Sequence, residues 1–75
     1  MIDFIDVYEL PDLPDNEEFN TRFPNLDKIR VEFEDEEDNH GNFYFIFTVY
    51  VDELDICEYL TYRDRMWIAD FLEGA

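Results

Sequence analysis

Residues 28–51 read as two strands joined by a turn, and that pattern restricts the fold more than any other feature of the chain. Apolar and charged residues alternate across residues 28–35. Ile29, Val31 and Phe33 fall on one side, and Lys28, Arg30, Glu32 and Glu34 on the other. A period of two marks a strand with one buried face. Residues 36–42 are polar and include Gly41, which is free to take the positive φ that a turn requires. The next segment, residues 43–51, is apolar on both sides. Phe43, Phe45, Phe47, Val49 and Val51 line one face; Tyr44, Ile46, Thr48 and Tyr50 line the other. The two runs predict a β-hairpin with a long acidic tip.

The flanks complete an α+β pattern. Residues 2–10 are rich in Ile, Val, Phe and Tyr and read as a strand, ended by a turn between Pro11 and Pro14. Asp15 is placed to cap a short helix over residues 16–23, with Glu17 and Glu18 in its first turn and Pro24 as its stop. Asp55 is placed to cap a short turn reaching Leu60. Thr61 then caps a last helix, with Asp64 at the capping-box offset, an apolar stripe of Trp67, Ile68, Phe71 and Leu72, and Gly74 as its stop. The order is β-α-β-β-α. The expectation is a single acidic domain over residues 1–75, in which a small antiparallel sheet (the N-terminal strand plus the central hairpin) packs with the C-terminal helix. So short a chain has little left to cover both faces of the sheet, so Tyr44, Ile46 and Tyr50 are expected to lie open to a partner.

Charge narrows the function. Five Lys+Arg against 21 Asp+Glu leave a net charge of −16, yet 47% of the residues are hydrophobic and 19% aromatic. Disordered acidic tails lack such aromatics, so this is the composition of a folding chain. A domain of this size needs a net charge of only about 2–8 for solubility. The excess points to a basic partner, a high-salt habitat or metal binding, and it opposes direct contact with nucleic acid or anionic lipid. Cys57 stands alone and forms no internal disulfide. Residues 1–6 have no basic region, and no apolar run approaches the ~20 residues of a membrane span, so the expected place of action is the cytoplasm.

Two groups of acids are candidate contact residues. The denser is Glu32, Glu34, Asp35, Glu36, Glu37 and Asp38, with Tyr44 and Tyr50 as apolar contacts on the following strand. The second is Asp3, Asp6, Glu9, Asp12, Asp15 and Glu18, which recur at every third position. That spacing would align them in a polyproline-like stretch but scatter them over both faces of a strand. Spread evenly, the carboxylates are too sparse to imitate DNA, so imitation requires them to gather on one face. A calcium loop fails, because a loop starting at Glu36 has Gly41 at its sixth position but Phe47 at its twelfth. His40 and Cys57 make no zinc set, and no nucleophile–base pair or glycine-rich phosphate loop is present. The expectation is a non-enzymatic binding protein without metal or cofactor.

In size, acidity and aromatic content the chain resembles the acidic DNA-mimic inhibitors of phages and mobile elements: anti-CRISPR proteins, anti-restriction proteins and uracil-DNA glycosylase inhibitors. The resemblance is one of composition and assigns no role to an individual residue. It implies a partner that is a basic nucleic-acid-binding protein, of nuclease or CRISPR-effector type, whose substrate groove the chain would occupy. Two other functions accord with the same charge: an immunity or antitoxin protein that neutralises a basic nuclease, and an acidic accessory subunit of a larger assembly. An open sheet edge would also permit a homodimer.

Overall fold

The alternation in residues 28–35 becomes an inner strand of a four-stranded antiparallel sheet. In the computed structural model, which describes residues 1–74, β1 (Ile2–Asp6), β2 (Lys28–Glu37), β3 (Phe43–Val51) and β4 (Leu54–Asp55) lie in the order β1-β2-β3-β4. Helix α1 (Glu17–Arg22) lies between β1 and β2, and α2 (Tyr62–Gly74) follows the sheet. This is the α+β arrangement expected, with one strand more. The additional strand, β4, arises from a two-residue reversal at Asp52 and Glu53. Asp52 takes a left-handed φ of 53°, a conformation that Asp tolerates better than most residues.

Local hydrogen bonds move several boundaries. The first strand stops at Asp6 and not at residue 10, because the Asp6 carboxylate accepts from the Tyr8 N–H (2.9 Å) and turns the chain into a 3₁₀ turn, Val7–Glu9. Asn16, not Asp15, caps α1, accepting from the Phe19 N–H at 3.0 Å; Asp15 ends a preceding 3₁₀ turn, Leu13–Asp15. Strand β2 continues to Glu37, so Glu36 and Glu37 belong to the ladder and the turn begins at Asp38. Asp55 does open the turn Cys57–Tyr59, accepting from the Cys57 N–H at 2.8 Å. Helix α2 runs to Gly74, the last described residue.

The pairing register sorts the residues. Val31 opposes Val49 and Ile5 opposes Ile29, so these four share the inner face of the sheet. All four are buried there together with Val51. The second layer comes from Val7, Leu10, Leu13, Phe19, Ile56 and Leu60, and from Ile68 and Leu72 of the predicted α2 stripe. Trp67 and Phe71 of that stripe are half-buried and stack on each other at 5.6 Å. Each fully buried aliphatic side chain of this kind contributes about 1.5–3 kcal/mol relative to exposure.

A buried carboxylate ties α2 to the rest. Asp64 is completely inaccessible. One of its oxygens accepts from the N–H groups of Asp12 (2.8 Å) and Leu13 (3.3 Å), and the other from Thr61 N–H (3.2 Å). The Thr61 hydroxyl oxygen accepts from Asp64 N–H at 3.2 Å, which completes the capping box with Asp in the place of Glu. The same carboxylate therefore caps α2 and also holds the start of the Leu13–Asp15 turn, whose donors lie 51 and 52 residues earlier in the sequence.

Outside this core the hairpin runs on alone. The described chain measures 43 × 22 × 20 Å, and its accessible surface of 5248 Å² exceeds the roughly 4,900 Å² expected for a compact chain of this mass. Beyond Phe33, which bonds Met1 through both backbone groups (2.8 and 2.9 Å), β2 has no neighbour on its β1 side.

Candidate functional site

The register decides which acids share a surface. Glu32, Glu34 and Glu36 oppose Thr48, Ile46 and Tyr44, so all six stand on the outer face of the sheet, away from the core. Alternate residues of an antiparallel strand are about 6.8 Å apart, so the three side chains follow one another along one face. Phe4 opposes Arg30 and Ile2 opposes Glu32, which extends this face across β1. No helix covers it. Ile2, Phe4, Tyr44 and Ile46 are 59%, 56%, 47% and 46% exposed; Ile46 and Tyr44 lie beside Glu34 and Glu36, Ile2 beside Glu32 and Phe4 beside Arg30. A shallow depression between β1 and the hairpin joins the two parts; it is lined by Ile2, Glu32, Glu34, Ile46 and Thr48, among others.

The other predicted contact residues are distributed differently. Asp35 and Glu37 oppose Phe45 and Phe43 and so point from the opposite face of the ribbon. Asp38 is exposed but engaged. Its carboxylate accepts from the N–H groups of His40 (2.8 Å) and Asn42 (2.9 Å) and holds the turn in which Gly41 takes a φ of 81°. These bonds, the one from Asn42 first, hold the Asp38 carboxyl below the usual Asp range. Tyr50 lies at the base of the hairpin, six residues from Tyr44. It is half-buried, with the Arg30 guanidinium over its ring at 5.0 Å, and Arg30 also pairs with Glu32 at 3.2 Å. Tyr50 is thus occupied by a cation of its own chain, whereas Tyr44 is not.

The N-terminal acids form no single row. Asp3 and Asp6 pair with Val31 and Lys28, on opposite faces of the sheet. Asp3 accepts from the Phe4 N–H at 2.8 Å, and Asp6 caps its turn. Asp12 accepts from the Thr61 hydroxyl and pairs with Arg63 at 3.4 Å. Glu9, Asp15 and Glu18 are exposed and separate from the hairpin in the fold.

Cations are absent from the whole hairpin beyond its base. No Lys or Arg occurs between Arg30 and Arg63. Arg22 donates to the Tyr59 hydroxyl (3.0 Å), Arg65 to the Cys57 carbonyl (2.8 Å), and Arg63 faces Asp12, so these three are held in the body. The surface is polarised as a result, with Lys28 and Arg30 at one end of the outer face and uncompensated carboxylates at the other. Sequence alternation contained Glu32 and Glu34; Glu36, read as part of the turn, joins them because β2 runs on to Glu37. The membership of Ile2 and Phe4 had no sequence signal, because it depends on the β1–β2 register.

Cys57 lies half-buried behind β3, where its sulfur accepts from the Val49 N–H at 3.4 Å and burial raises its thiol pKa. Among the described residues no three His, Cys, Asp or Glu side chains converge as a metal site, and no helix is long and apolar enough to cross a membrane. Compared with family models, curated proteins and solved structures, the chain matches none of them.

Proposed function

We infer that this chain is an inhibitor that binds the basic nucleic-acid site of another protein, in the manner of the phage inhibitors its composition resembles, and acts in the host cytoplasm. The observation that carries the reading is the row of Glu32, Glu34 and Glu36 on an uncovered sheet face, beside exposed Tyr44 and Ile46, with Arg30 and the N-terminal ammonium on the Phe33 carbonyl as its neighbouring cations. Successive carboxylates along one face offer acceptors to Lys and Arg groups that otherwise hold phosphates. The apolar flank gives the contact a component that salt does not screen. The remaining charge of the −16 chain steers the encounter and makes association fast at low ionic strength.

The test is a competition experiment. Immobilised chain should retain a nucleic-acid enzyme from bacterial lysate, and both duplex DNA and high salt should release it. The double variant Glu34→Lys, Glu36→Lys leaves the Arg30–Glu32 pair intact and should slow association at least tenfold. Retention that DNA does not compete, or an unchanged association rate for the variant, would refute the reading.

A further inference from the structure

The apolar strand of the hairpin has an edge that nothing in the fold pairs. Asp38 N–H bonds the Asn42 carbonyl at 2.9 Å, which makes those two residues a hydrogen-bonded pair of the antiparallel ladder. Pairs alternate from there. Glu36 with Tyr44 and Glu34 with Ile46 are therefore bonded within the hairpin, whereas Phe43, Phe45 and Phe47 turn their N–H and C=O groups outward. Val49 follows the same parity and confirms it, since its outward carbonyl accepts from Ile56 N–H at 2.9 Å and its N–H reaches Cys57. Beyond Val49 the short β4 is no longer alongside. The outward groups of Phe43, Phe45 and Phe47 have no backbone partner among the described residues.

An edge like this is normally blunted by charge, proline or a bulge. Residues 43–47 carry none of these. The other edge of the same ribbon, by contrast, bears Asp35 and Glu37. The asymmetry leaves one receptive edge, and the charge of the hairpin selects what it receives.

We propose that the outer edge of β3, from Phe43 to Phe47, takes up an antiparallel strand of the partner protein, and that this strand alternates apolar with Lys or Arg residues. The inference rests on the hairpin being a contact surface for a basic partner, as proposed above. In the antiparallel register the guest residues opposite Phe43, Phe45 and Phe47 share the face of those rings and are the apolar set. The guest residues between them stand on the outer face, beside Tyr44 and Ile46. They lie two strand spacings, about 9.6 Å, from Glu34 and Glu36. Long cationic side chains cross that gap above the Tyr44 ring, which itself attracts a cation. Main-chain hydrogen bonds supply affinity, and the alternating pockets supply specificity. A second copy of the chain is the weaker occupant, because pairing two hairpins through β3 would join two chains of net charge −16.

Hydrogen exchange with synthetic peptides tests this. The probes are a capped peptide of alternating Arg and Val and a peptide of the same composition with its Arg and Val in separate blocks. The alternating peptide should bind on the order of tenfold more tightly and slow exchange at the Phe43, Phe45 and Phe47 amides, which have no backbone acceptor among the described residues. N-methylation of its Val amides, which face β3, should abolish binding; N-methylation of its Arg amides should not. If both peptides bind alike and those three amides stay unprotected, or if the two methylated forms lose affinity equally, strand addition is overturned while the acidic contact surface stands. If neither peptide binds, the contact surface itself fails. A dimer in the absence of peptide, with the three amides already protected, would give the edge to a second copy and overturn the proposal.

Discussion

At the scale of single residues, one buried side chain ties distant segments of the fold together and stands apart from the acidic row proposed as a contact surface. Asp64 is an acid in a chain crowded with acids, but it alone is fully buried, and three backbone N–H groups converge on it. A carboxylate out of water is tolerated only when its acceptor capacity is filled. Asp64→Ala would strand the N–H groups of Asp12, Leu13 and Thr61, and the expected loss is about 2–4 kcal/mol by urea denaturation. Asp64→Asn keeps the shape but turns an N–H donor toward one of these groups, so it should fall between Ala and the parent. Asp38 and Asp55 give a pH prediction. Hydrogen bonds, from Asn42 to Asp38 and from Cys57 to Asp55, hold both carboxyls below their ordinary 3.8 in the folded state. The unfolded chain then binds protons at these sites first as pH falls. Their stabilising effect is complete above the ordinary value and is lost as pH drops through the lower folded values. Carboxyl resonances followed by NMR should titrate below 3.8 at both residues, and Asn42→Pro, which removes the N–H, should move Asp38 back up.

At the scale of elements, the hairpin divides into a base that belongs to the core and a tip that stands alone. The pair Arg30–Tyr50 lies between β1 and β4, whereas Glu36–Tyr44 has no strand on either side. Segments with few buried contacts open locally without global unfolding. The ladder amides of Glu36 and Tyr44 should therefore exchange through local opening, with rates insensitive to Asp64→Ala. The amides of Arg30 and Tyr50 should accelerate in step with the global destabilisation. The Phe33–Phe45 edge-to-face contact at 5.6 Å keeps the ribbon from fraying further. Element boundaries were legible in the sequence where a strong period or a cap was written locally, as at the start of β2, in β3 and in the Thr61–Asp64 capping box. They were missed where a side chain competed with the ladder, as at Asp6, or where two adjacent residues could both cap, as at Asp15 and Asn16.

At the scale of the whole molecule, charge and fold pull in opposite directions. The −16 chain is held together by a core of modest size, and repulsion among its carboxylates favours expansion. Added NaCl should raise the denaturation midpoint steadily as the Debye length falls from about 30 Å at 0.01 M to about 3 Å at 1 M. The variant Glu34→Lys, Glu36→Lys brings the net charge to −16 + 4 = −12. Its fold should be at least as stable as the parent at low salt, and the salt dependence of its midpoint should be shallower. A variant that gains stability while losing partner association separates the two uses of these residues. Loss of both together would mean that the acidic row supports the fold.

The sequence by itself determined the hairpin, its acidic flank and the amphipathic last helix, because each follows from a period or cap readable within a few residues. It also held Glu32 and Glu34 on one side of β2, since alternation alone puts them there, whereas Glu36 joins them only because the ladder extends to Glu37. Only the tertiary structure decided the rest. That Phe4 and Ile2 join this face, that Tyr50 is taken by Arg30, and that Asp64 reaches Asp12 and Leu13 all depend on contacts between distant segments. So does the open edge of β3, which exists because β4 is too short to cover it. Pairing register and burial are properties of chain closure, and no local pattern encodes them.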